Sequence, residues 1–68
     1  MDCLPLLHEI EYLTLELEKL HAEMEAHPKD NELEYIGYLK LKAAVLSTRI
    51  KKMKAEALLA QVMNRRLS

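Results

Sequence analysis

The blocks Glu9-Ile10-Glu11, Glu16-Leu17-Glu18 and Glu23-Met24-Glu25 recur every seven residues. A heptad that sets an apolar residue between carboxylates keeps one helical face apolar and its borders charged, so this half of the chain reads as a coiled-coil strand and not as a β-strand. The full seam is Leu6, Ile10, Leu13, Leu17, Leu20, Met24 and His27, at alternating spacings of four and three. A second seam follows at Ile36, Leu39, Ala43, Leu46, Ile50, Met53, Ala57 and Ala60, bordered by Lys40, Lys42, Arg49 and Lys54. Composition agrees: Ala, Glu, Lys, Leu and Arg supply 40 of 68 residues, against one Gly and two Pro, which favours long helices over a sheet.

Between the seams stands His27-Pro28-Lys29-Asp30-Asn31. Pro28 removes a backbone donor and pushes His27 out of helical dihedrals, so the chain turns. Asn31 followed by Glu34 is an N-cap with a capping-box partner, and Asp30, Glu32 and Glu34 suit the positive end of the next helix dipole. At the other ends, Asp2 can cap the first helix, Pro5 is tolerated in its first turn, and Arg65 and Arg66 suit the last turn of the second. The expected fold is all-α: a single antiparallel two-helix hairpin over residues 1–68, with helices at about 4–26 and 32–66, a turn at 27–31 and the second helix longer.

Pairing the two seams antiparallel sets Leu6 against Ile50, Ile10 against Leu46, Leu13 against Ala43, Leu17 against Leu39 and Leu20 against Ile36. The same register places Glu9 beside Arg49 and Glu16 beside Lys42. Residues 1–27 carry a net charge of −6 and residues 28–68 one of +5, an asymmetry that internal pairing explains. The run Arg49, Lys51, Lys52, Lys54 is therefore a poor nucleic-acid patch, and no aromatic residue interleaves it.

In that register the first helix runs out opposite Met53 or Lys54, leaving Ala55 to Leu67 without an intrachain partner. The overhang is apolar, with Leu58, Leu59, Val62, Met63 and Leu67, and something should cover it. A second stripe, Tyr38, Leu41, Val45, Thr48, Lys52, Ala55, Leu59 and Val62, keeps heptad spacing on the opposite face of the second helix. The partner-binding residues expected are Tyr38, Leu41, Val45, Leu58, Leu59, Val62 and Met63; Leu7, Tyr12 and Leu15 on the first helix are the alternative surface. Two helices sharing one interface without disulfide or metal are marginal alone, so association is the natural remedy.

Chemistry is sparse. His8, His21 and His27 stand at no metal-ligand spacing with the single Cys3, so neither metal nor cofactor is expected. Cys3 falls on the first seam opposite Met53 and reads as a small hydrophobe, not a nucleophile; it also has no partner for an intrachain disulfide. The glutamates border a seam on a rigid helix and have no loop to wrap an ion. His21 can pair with Glu25 and His27 with Glu23, each one turn away. Gly37, between Tyr35 and Tyr38, lacks the glycine-rich loop of a phosphate cradle but could admit a closely approaching partner. The longest uncharged run, Ala57 to Asn64, is far too short to span a bilayer, and the stretch Leu4 to Leu7, flanked by Asp2 and Glu9 with no basic residue before it, does not read as a secretory signal. The reading is of a cytoplasmic, non-enzymatic protein-binding module. The rival reading is a homodimeric four-helix-bundle regulatory protein with nucleic acid as its candidate ligand.

The layout of a short first helix, a polar turn at His27-Pro28-Lys29-Asp30-Asn31 and a longer second helix ending in the Ala-rich apolar segment Ala55 to Leu67 resembles the small helical-hairpin co-chaperones of type III secretion needle subunits, of the YscE, PscE and EscE type. The resemblance covers nearly the whole chain at the level of layout. It implies a protein without catalytic activity that helps a tetratricopeptide-like chaperone keep a needle subunit monomeric in the bacterial cytosol. It further implies partner contacts at Leu58, Leu59, Val62 and Met63.

Overall fold

The computed structural model of the chain describes residues 3–67, the side chain of Leu67 excepted. Its first helix, α1, runs Leu4–Ala26 and its second, α2, runs Glu32–Leu67; the two pack side by side as an antiparallel hairpin. The molecule is a rod of 55 × 14 × 12 Å, and its long dimension is that of the 36-residue α2 at 1.5 Å rise per residue.

Local chemistry sets each helix end. Pro5 lies in the first turn of α1, where its missing N–H has no intrahelical bond to lose. The Leu7 N–H donates to the Cys3 carbonyl at 3.0 Å, and Cys3 stands at the N-cap without a side-chain bond. The cap expected from Asp2 lies outside the described residues. α1 ends at His27, whose φ of −72° and ψ of 131° are extended, as the ring of Pro28 demands of the residue before it. α2 begins where Asn31 Oδ1 accepts from the Glu34 N–H at 2.9 Å and the Asn31 carbonyl accepts from the Tyr35 N–H at 2.9 Å. Glu32 and Glu34 lie in its first turn, Arg65 and Arg66 in its last, matching the helix dipole.

The turn decides how the helices meet. From His27 to Asn31 the chain is not helical and bends at His27, Asp30 and Asn31, and in the observed register α2 starts on the order of 10 Å beyond the end of α1. α2 then returns alongside and brings Gly37 against His27. A Cβ added at Gly37 would sit 2.9 Å from both Cε1 and Nε2 of the His27 ring. His27 Nδ1–H donates to the Pro28 carbonyl at 2.8 Å. Lys29 Nζ stands 4.6 Å from the centroid of the Tyr38 ring, and Tyr38 packs on Tyr35 with centroids 6.0 Å apart.

This geometry corrects the expected register. Cys3, Leu6 and Glu9 line a cleft with Leu58, Val62 and Arg65, and Leu17 and His21 line another with Arg49. Relative to seam-on-seam pairing, α2 is slid by roughly nine residues, about 13 Å of helix. Leu6 therefore does not meet Ile50, Cys3 does not meet Met53, and Leu17 does not meet Leu39. Nor does Ala55 to Leu67 overhang as expected, because α1 reaches as far as Val62 and Arg65.

The slide comes with a change of face. On α1 the heptad seam points inward: Leu13 is buried and Leu6, Ile10, Leu17, Leu20, Met24 and His27 are half-buried. On α2 the inward residues are Tyr38, Leu41, Val45, Thr48, Lys52, Ala55, Leu59 and Val62, of which Val45, at 3% exposure, is the most deeply placed. Ile36, Leu39, Ala43, Leu46, Ile50, Met53, Ala57 and Ala60 are all exposed. Both stripes have heptad spacing, so periodicity cannot choose between them; the observed register, which brings Gly37 against His27, lays the whole of α1 along the stripe from Tyr38 to Val62. Thr48 and Lys52 are tolerated inside because a two-helix interface has open edges, where a lysine stem can lie on apolar surface and its ammonium reach water. The resulting core is thin. Among the described residues only Leu13, Val45 and Ala55 are buried, and no side chain is wholly enclosed.

Candidate functional site

The inward turn of one α2 stripe leaves the other as the outer face of the molecule. Residues seven apart fall on the same side of a heptad helix, and the three- and four-residue spacings from Ile36 to Ala60 hold eight apolar side chains in one line of about 37 Å. Ile50 is 53% exposed and Met53 60%. Leu39, Leu46 and Ile36 are likewise open to solvent. A contiguous apolar strip of this length is more than a monomeric surface ordinarily exposes. Lys40, Lys42, Arg49 and Lys54 border it, with Glu56 as the acidic neighbour.

Charge also organises the two edges of the hairpin. On one edge Glu9 lines a cleft with Lys51, Lys54, Ala55 and Leu58. On the other, Arg49 lies with Leu17, Glu18, His21, Ala22 and Glu25, and His21 Nδ1 is 3.4 Å from Glu25 Oε1. The pairings expected from the unslid register are thereby replaced. Glu9 neighbours Lys51 and Lys54 and not Arg49, while Glu16, seven residues on from Glu9, shares that edge and not the edge of Lys42, seven residues before Arg49. The basic stretch Arg49 to Lys54 faces glutamates of its own chain on both edges.

The residues expected to bind a partner are divided by the structure. Val45 is buried, and Tyr38, Leu41, Leu59 and Val62 are half-buried, all on the hairpin's inner seam. The premise that these side chains have no place in the hairpin is therefore corrected: they are what holds α1. Leu58 and Met63 are exposed, Leu58 at the rim of the Cys3 cleft. The exposed apolar strip consists of the residues assigned to the seam. Leu4, Leu7, Tyr12 and Leu15 form a second exposed group confined to the first half of α1.

Cys3 is half-buried in a cleft with Pro5, Leu6, Glu9, Leu58, Val62 and Arg65. Among the described residues no three His, Cys, Asp or Glu side chains converge to hold a metal ion, and no helix is long and apolar enough to cross a membrane. Comparison with known proteins finds no match to a family model, to a curated protein or to a solved structure.

Proposed function

We propose that the chain is a non-enzymatic protein-binding module that works by seating a helix on the outer face of α2. One observation carries this reading: the exposed heptad strip from Ile36 to Ala60, which has the spacing of a coiled-coil strand and no helix of the hairpin against it. The thin core supports it from the energetic side, because a two-helix hairpin gains stability from any helix that covers α2. By its layout, which resembles the needle co-chaperones of type III secretion, the module would serve as a co-chaperone or assembly subunit in the cytoplasm.

Tandem-affinity purification of the tagged chain in its own cells, run beside an Ile50→Lys variant of matched helicity, tests the proposal. A protein recovered with the wild type and lost with the variant is the expected result. A partner recovered equally by both places docking elsewhere, with Leu7, Tyr12 and Leu15 the next surface to examine.

A further inference from the structure

The outer strip has a property that exposure alone does not require. Read from Ile36 to Ala60 and then in reverse, large and small side chains exchange places in the outer layers, where Ile36 corresponds to Ala60, Leu39 to Ala57 and Met53 to Ala43, while Leu46 and Ile50, of equal size, correspond at the centre. An isologous interface needs a surface that is its own complement under a two-fold axis, so that when residue i meets j, j also meets i. We infer that the outer face of α2 pairs with the same face of a second copy, antiparallel, about a two-fold axis level with Ser47 and Arg49. The inference rests on the proposal that this face docks a helix, and it names that helix.

In this arrangement Ile36 packs against the partner's Ala60 and Leu39 against the partner's Ala57. Met53 packs against the partner's Ala43, and Leu46 against the partner's Ile50, near the axis. Every layer joins two medium side chains or one large and one small, which lets two helices approach evenly along their length. Parallel pairing would set Ile36 on Ile36 at one end and Ala60 on Ala60 at the other, overfilling one and starving the other.

The borders agree with the antiparallel choice. Lys42 faces the partner's Glu56, and the symmetry makes that pair twice. Arg49 nears the partner's Arg49, and each shares a cleft with the carboxylates of Glu18 and Glu25 of its own chain. Lys40 nears the partner's Lys54, which has its own Glu9 as neighbour. A parallel pair would instead set Arg49 against the partner's Lys54 and lose the Lys42–Glu56 pairing altogether.

Two other modes of self-association fit less well. A sideways four-helix bundle would bury an edge of the hairpin, and those edges carry Glu9, Lys51 and Lys54 on one side and Glu18, His21 and Arg49 on the other, charges that are costly to desolvate. Seating α1 of a neighbour on the strip would cover only about half of it, because the exposed apolar group of α1 ends at Leu15.

Sedimentation equilibrium of the full chain from about 1 to 200 μM tests the inference. A monomer–dimer equilibrium is expected, weakened by about 10- to 100-fold in Ile50→Lys. Glu56→Lys should weaken the dimer, and Lys42→Glu added to it should restore the association. In a Cys3→Ser background, Ser47→Cys should crosslink between chains with a short bis-maleimide, and Leu15→Cys should not. A chain that is monomeric throughout, or a dimer indifferent to Ile50→Lys, overturns the inference. A synthetic acid-bordered leucine peptide of about four heptads then separates the two readings. Capture of that peptide by the monomer, lost in Ile50→Lys, would retain helix docking and reject the second copy as occupant, whereas neither dimer nor capture would reject both.

Discussion

The His27 imidazole fills the space in which Gly37 would carry a side chain, its Cε1 and Nε2 each 2.9 Å from a Cβ built there. Gly37 has no positive φ, so the glycine serves close approach and not backbone freedom. Its position within a helix costs about 1 kcal/mol against alanine, and what that cost secures is the contact that fixes where α2 lies along α1.

Gly37→Ala should therefore fail to deliver the usual gain in helix stability, because the ring must leave its seat and its bond to the Pro28 carbonyl. Combined with His27→Ala, the same substitution should recover about 1 kcal/mol. Urea unfolding of the two single variants and the double variant checks this: additivity within error would show that the two positions do not interact.

The slid register makes a direct prediction. In a Cys3→Ser background, Leu17→Cys with Thr48→Cys should close an intrachain disulfide under mild oxidation, and Leu17→Cys with Leu39→Cys should not. Mass spectrometry of the monomer fraction distinguishes the two.

Inner and outer stripes should also separate by their energetic response. Val45→Ala and Leu13→Ala should each destabilise the hairpin by roughly 1.5 to 3 kcal/mol. Ile50→Ala should change the stability of the dilute chain by less than about 0.5 kcal/mol. Lys52→Leu should raise it by about 1 kcal/mol, since it extends the apolar seam. Thermal melts at concentrations low enough to suppress association provide the measurement.

Asn31→Ala should cost about 1 kcal/mol through loss of the bond from the Glu34 N–H, and Asn31→Asp should preserve most of it. The fraction of helix lost, read by circular dichroism, should come from the start of α2 and leave α1 unaltered at low temperature.

The helices and their ends were legible because each rests on local chemistry: the Glu-apolar-Glu repeat, Pro28, the Asn31 cap. The face of α2 was not. Ile36 to Ala60 is the more apolar of two stripes with equal spacing, and hydropathy alone assigns it to the inside. What accompanies the reversed assignment is a non-helical turn from His27 to Asn31 and a ring-on-glycine contact between residues ten apart, neither of which hydropathy encodes. Gly37 did signal a close approach, but its partner is His27 of the same chain. The expected site shifts with the seam: residues assigned to the core form the open face, and Val45, expected at a partner, is the most buried of the described residues.

A two-helix hairpin is two helices wide and only one helix deep, so no backbone amide lies far from solvent. Slow hydrogen exchange in such a chain cannot come from depth and must come from cooperativity along the two helices. Whatever covers the outer face of α2 would alter this unevenly. The amides from Ile36 to Ala60 would gain protection first, while those of α1 would gain it only as far as the hairpin itself opens less often, and that difference in timing would print the docking face onto the exchange pattern without any need to see the partner.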